Sequence, residues 1–120
     1  MNFRLIKTAA AIVALLGAFT SPVVTAAGHS EAMAAGKKLA FDRKLGNCLA
    51  CHRITGKDQE GNIGPPLLAM SARYPDKSKL RAQIFDATVR NPNTIMPPFG
   101  RHHALTGKQI DLITDYIYTL

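Results

Sequence analysis

A chain of 120 residues has room for one domain. With 15 Lys and Arg against 8 Asp and Glu the formal net charge is +7, but the charges are scattered, which argues against nucleic acid and for an acidic protein partner. Two cysteines are too few for a cysteine zinc site.

Residues 1–26 read as a cleavable export signal. Arg4 and Lys7 form a charged start, Thr8 to Phe19 is mostly apolar, and Val24-Thr25-Ala26 resembles a small-residue cleavage site, with cleavage after Ala27 nearly as good. The apolar run is too short to span a bilayer and no later stretch could, so the expected mature chain is residues 27–120, in the periplasm without stable membrane insertion. Loss of Arg4 and Lys7 lowers the formal charge to +5.

Ser30 can cap a first helix running to about Asp42, with Met33, Leu39 and Phe41 among its apolar positions, although Gly36 weakens it. Gly46-Asn47 then supplies a turn. It leads into Cys48-Leu49-Ala50-Cys51-His52, the stretch around which the chain is organised. Cysteines at this spacing lie on one side of a helical turn, so both sulfurs can face a single flat partner. In a c-type haem site those thiols close thioether bonds onto the two vinyl groups, and the adjoining imidazole reaches the iron. A thioredoxin-like redox pair would need a βαβ setting that is not visible here. Covalent haem therefore takes both cysteines and leaves none for a structural disulfide.

From Thr55 to Gly64 the residues are polar and glycine-rich, which predicts a surface loop, and Gly64-Pro65-Pro66-Leu67 predicts an extended path. A carbonyl of Pro65 or Pro66 could accept the remaining ring proton of His52 and fix the imidazole. Lys79 to Val89 has helical spacing, with Leu80, Ile84 and Val89 or Thr88 on one side, and Asn91-Pro92 stops it. Asn91 to Gly100 carries three prolines and must be a constrained loop. In the last helix Thr106 and Gln109 have the spacing of a capping box, and Leu105 and Ile110 that of a hydrophobic staple. Ile110, Ile113 and Ile117 form its inward stripe, with Leu112 and Tyr116 beside it, while Lys108, Asp111 and Asp115 can face water. The expected fold is a small all-α domain of three or more helices around one haem.

The second axial ligand decides the chemistry. Met96 is the first candidate, because Pro97-Pro98 stiffens the loop that would present its thioether. Met70 is the runner-up, without such a frame, and His102 and His103 read as solvent-facing histidines before the last helix. His29 sits near the expected mature start. Arg53, Arg73 and Tyr74 could meet haem propionates. With His52 and Met96 both on the iron, small molecules cannot coordinate without displacing a ligand, and the expected role is electron transfer. An open site would instead mean a haem enzyme or gas sensor.

Taken together, the haem motif, Gly64-Pro65-Pro66-Leu67, the loop methionine and the C-terminal helix resemble a class I monohaem cytochrome c. A narrower likeness overlies it. Gly46 to His52, Gly61 to Leu67, the run Arg90-Asn91-Pro92-Asn93-Thr94-Ile95-Met96-Pro97-Pro98-Phe99-Gly100, Leu105-Thr106 with Gln109-Ile110, and Tyr116 to Leu120 resemble the SoxX family, the small cytochrome subunits of SoxAX complexes in bacterial thiosulfate oxidation. That resemblance implies one haem c held by Cys48 and Cys51, with His52 and Met96 on the iron. It implies a SoxA-like cytochrome partner that carries the catalytic haem, transient work with a SoxYZ carrier, and delivery of electrons to a soluble cytochrome. It implies no catalytic residue on this chain, which would be the electron-transfer subunit of an L-cysteine S-thiosulfotransferase. The alternative is a free-standing periplasmic electron shuttle.

Overall fold

The structure, a computed structural model, describes residues 26–54 and 60–120. The export signal and the first half of the loop predicted over 55–64 therefore lie outside the described residues, apart from Ala26 and Gly61 to Gly64 and the adjoining Glu60. Among the described residues there are four α-helices: α1 (Ala26–Phe41), α2 (Met70–Arg73), α3 (Lys77–Phe85) and α4 (Gly107–Tyr118). Two 3-10 turns, Cys48–Ala50 and Ala87–Val89, complete the regular structure, and no strand occurs among the described residues. The all-α expectation holds.

Helix α1 begins before Ser30 rather than at it. With the helix already under way, the Ser30 hydroxyl donates back to the Ala27 carbonyl at 3.0 Å instead of capping. Gly36, which weakens α1 by propensity, is explained by packing: a Cβ there would stand 2.0 Å from the Leu112 carbonyl oxygen of α4. The two helices cross backbone against backbone at this point, and only glycine lets them. One turn on, the rings of Phe41 and Tyr116 meet edge to face, centroids 5.8 Å apart.

Helix α4 is the most legible element. Gln109 N–H donates to the Thr106 hydroxyl at 3.3 Å and Thr106 N–H to the Gln109 side chain at 2.8 Å, the predicted capping box. Ile110, Ile113 and Ile117 are buried, as are both staple residues, Leu105 and Ile110. Asp115 does not simply face water. It is half-buried and pairs with Lys77 of α3 at 2.7 Å, and Arg81 pairs with Asp111 one turn away.

The helix predicted over Lys79 to Val89 is two elements. Asp76 caps α3 through Ser78 N–H, so the helix starts earlier than the apolar spacing indicates. At Asp86 the backbone turns extended (φ −153°, ψ 93°), and the same type of cap starts the second 3-10 turn through Thr88 N–H. Leu80 and Ile84 face the core as expected, but the break swings Val89 outward to 78% exposure. Asn91 to Gly100 has no helix or strand, as three prolines require.

A haem-binding cavity

Asn47, left-handed at φ 46°, ends the turn after α1 and starts the 3-10 turn that carries both cysteines. His52 N–H donates to Cys48 O at 2.9 Å, which closes the attachment segment on itself. Gly61 N–H to Leu49 O and Gly64 N–H to Cys51 O, at 2.8 and 2.7 Å, bring the glycine–proline strap back across it. The imidazole lies hard against that strap: a Cβ on Gly64 would be 2.5 Å from His52 Cε1 and 2.6 Å from Nδ1. At this distance a side chain at residue 64 would have to displace the ring.

The Pro65 carbonyl lies 2.7 Å from His52 Nδ1. A carbonyl oxygen only accepts, so Nδ1 carries a proton, and in the neutral ring it is Nε2 that holds the lone pair. Of the two prolines, Pro65 is thus the partner of the histidine. The Pro66 carbonyl instead accepts from Arg73 Nη1 at 2.7 Å.

These groups open onto one cavity of about 480 Å3. Cys48, Cys51, His52, Pro65 and Met96 all line it, together with Leu67, Leu80, Ile84, Leu105, Ile113 and Ile117 from the core. Among the described residues, its only charged lining residues are Arg43 and Arg73, and none of its lining residues is a carboxylate. An apolar slot with two thiols, one lone-pair imidazole and a cationic edge matches what a haem needs: thioether donors, an iron ligand, a hydrophobic bed and partners for propionates. Burial pushes the Cys48 thiol up to about 11, with the nearby Cys51 adding to the effect against an opposing backbone hydrogen bond. A thiol so protonated at neutral pH is the opposite of the low-pKa thiolate that a redox Cys-x-x-Cys pair uses.

The family model for cytochrome c matches residues 33–120, from the middle of α1 to the last residue. The chain belongs to the cytochrome c family. As a cytochrome c it is an electron-transfer protein with covalent haem c, and Cys48, Cys51 and His52 fit the attachment motif. No curated protein matches the chain in sequence. No helix among the described residues is long and apolar enough to cross a membrane.

The other candidate residues of this cytochrome separate cleanly. Arg73 and Tyr74 line the cavity, whereas Arg53 does not and is exposed. His29, His102 and His103 are exposed and away from it. Met70 does line it, is 2% exposed, and accepts a hydrogen bond at its sulfur from Arg73 Nη1 at 3.4 Å. Arg43 and Gln83 reach the cavity without any sequence signal that marked them, since a solvated arginine and a helix-surface glutamine look the same in sequence.

Proposed function

We propose that this cytochrome is the electron-transfer subunit of a periplasmic SoxAX-type L-cysteine S-thiosulfotransferase, with residues 1–26 removed on export. The observation that carries the reading is the segment from Arg90 to Gly100: its sequence resembles that of SoxX, and its Met96 lines the same cavity as the cysteines and His52. The chain accepts electrons released when a SoxA-like partner joins thiosulfate to a SoxYZ carrier cysteine, and passes them singly to a soluble cytochrome.

In this reading Cys48 and Cys51 would hold the haem, and His52 Nε2 and the Met96 sulfur would bind its iron. Bound haem supplies a one-electron couple. The Pro65 carbonyl keeps the imidazole in the Nε2-donor form and makes it more basic. The Met96 thioether, a soft ligand, would favour the reduced state of the bound haem and raise its potential. Met96 suits the second position better than Met70. Arg73 donates to both the Met70 sulfur and the Pro66 carbonyl, so the Met70 sulfur is already engaged in a hydrogen bond, whereas Met96 sits in the stiff proline loop with its sulfur uncommitted to any hydrogen bond among the described residues. Arg43 and Arg73 supply charge for the propionates.

Purification of the exported holoprotein tests the assignment. A stable heterodimer with a second c-type cytochrome, reduced by thiosulfate in the presence of a carrier protein, is the expected result. A monomer that binds no such chain and serves only as a diffusible shuttle would replace this reading with that of a free-standing electron carrier.

A further inference from the structure

Two aspartates of this chain make the same local bond. Asp76 accepts from Ser78 N–H and Ser78 Oγ at 2.9 and 2.6 Å, and Asp86 from Thr88 N–H and Thr88 Oγ1 at 3.0 and 2.5 Å. An aspartate cap needs no burial, and Asp76 is exposed. Asp86 is 8% exposed, and its second oxygen faces Arg101 Nη1 at 3.2 Å. Arg101 also donates to Thr88 Oγ1 at 3.2 Å.

The placement of these three residues explains the difference. The Met96 loop leaves the 3-10 turn Ala87–Val89, where Arg90 and Asn91 N–H donate to Ala87 O. It returns at Gly100 and Arg101, whose N–H groups both donate to Phe85 O at 3.0 and 3.4 Å. Asp86 stands between the departure and the return, with one oxygen on each. Within the loop Met96 N–H donates to Thr94 Oγ1 at 3.1 Å, so the sulfur-bearing residue is fixed to the loop but has no helix of its own.

We infer that the Asp86 carboxylate, bridging Thr88 and Arg101, is a positioning group that closes the Met96 loop and thereby holds the Met96 sulfur in the cavity. The inference rests on Met96 being the second axial ligand. Opening the bridge lets the loop part at its base, and the sulfur then spends more time off the iron. Because a competing ligand binds only the open form, its apparent affinity rises in proportion to the open fraction.

The test is an imidazole titration of the ferric holoprotein, read by loss of the methionine–iron charge-transfer band. Asp86→Asn and Arg101→Gln are each expected to bind imidazole about tenfold more tightly than wild type, and the double variant no tighter than the stronger single one, since both open one bridge. Asp76→Ala, which removes the matching cap without touching the loop, is expected to titrate like wild type. Arg101 is exposed, so Arg101→Gln keeps the test available if Asp86→Asn does not fold. Wild-type imidazole affinity in Arg101→Gln, or an equal gain in Asp76→Ala, overturns the inference. Met96→Ala separates the two levels: if it too binds imidazole no more tightly than wild type, the ligand assignment itself has failed.

Discussion

His52 and Met96 face one cavity but are held there in unlike ways. The imidazole is set by its own neighbourhood: a backbone bond to Cys48 O, glycine bonds that fold the strap over it, and a carbonyl at Pro65. Every one of those partners lies between Cys48 and Pro65, and the histidine adjoins a covalent attachment point. Met96 sits in a loop without regular structure whose two ends are joined by Phe85, Asp86, Thr88 and Arg101. A ligand on a tethered turn stays close even when its bond breaks, whereas a ligand on a closed loop depends on the closure. The methionine side is therefore where coordination is expected to yield first.

Substitutions that remove each proposed ligand should show the contrast most strongly. His52→Ala is expected to fail in maturation or carry a grossly disturbed haem, measured as haem content of the exported protein; normal holoprotein yield would contradict the proximal role. Met96→Ala should keep its haem through Cys48 and Cys51 but expose an open iron position. Its reduction potential should drop by more than about 59 mV, the equivalent of a tenfold loss of preference for the reduced state. A potential and spectrum equal to wild type would move the ligand to Met70 or a histidine.

Glycine replacements sharpen the comparison at smaller scale. Gly64→Ala drives a Cβ into the His52 ring, which the strap cannot release, and should cost about 2–3 kcal/mol in chemical denaturation of the holoprotein. Gly100→Ala meets the Phe85 ring at 2.0 Å, nominally closer. Phe85 is partly exposed and can swing outward, so about 1 kcal/mol is expected. A larger loss at Gly100 than at Gly64 would reverse the ranking of the two walls.

Acid should act in the same order with the least effect. The Thr88 hydrogen bonds, and then the Arg101 and His102 charges, hold the Asp86 carboxyl below the usual carboxylate range. A folded-state value below the unfolded one means that its stabilisation is complete above about pH 4–5 and is lost as pH falls through the folded value. The methionine–iron band should then disappear at a higher pH than the far-ultraviolet helical signal. Coincident loss of both signals would show that loop closure and the helical core come apart as one unit.

Much of the histidine side is readable from residues alone. Cys48, Cys51, His52 and Pro65 are close in sequence and act through spacing and backbone bonds, and α4 announces itself by its capping box and isoleucine stripe. The helix after Asp76 shows where such reading stops. Apolar spacing runs on to Val89, yet the chain breaks at Asp86 because a cap and an arginine fifteen residues away outweigh helix propensity. Gly36 teaches the same point from the other side: unfavourable within its own helix, it is required by the helix laid across it.

What the amino-acid order determined unaided was the attachment turn, the capped last helix and the stiff proline loop, since each depends on groups within a few residues of one another. The pairing of α1 with α4, the choice of Pro65 over Pro66, the burial of Met70 against Arg73 and the second task of Asp86 were decided only by tertiary structure. Each of these turns on which distant atoms arrive within bonding or contact distance, and no local pattern encodes that arrival.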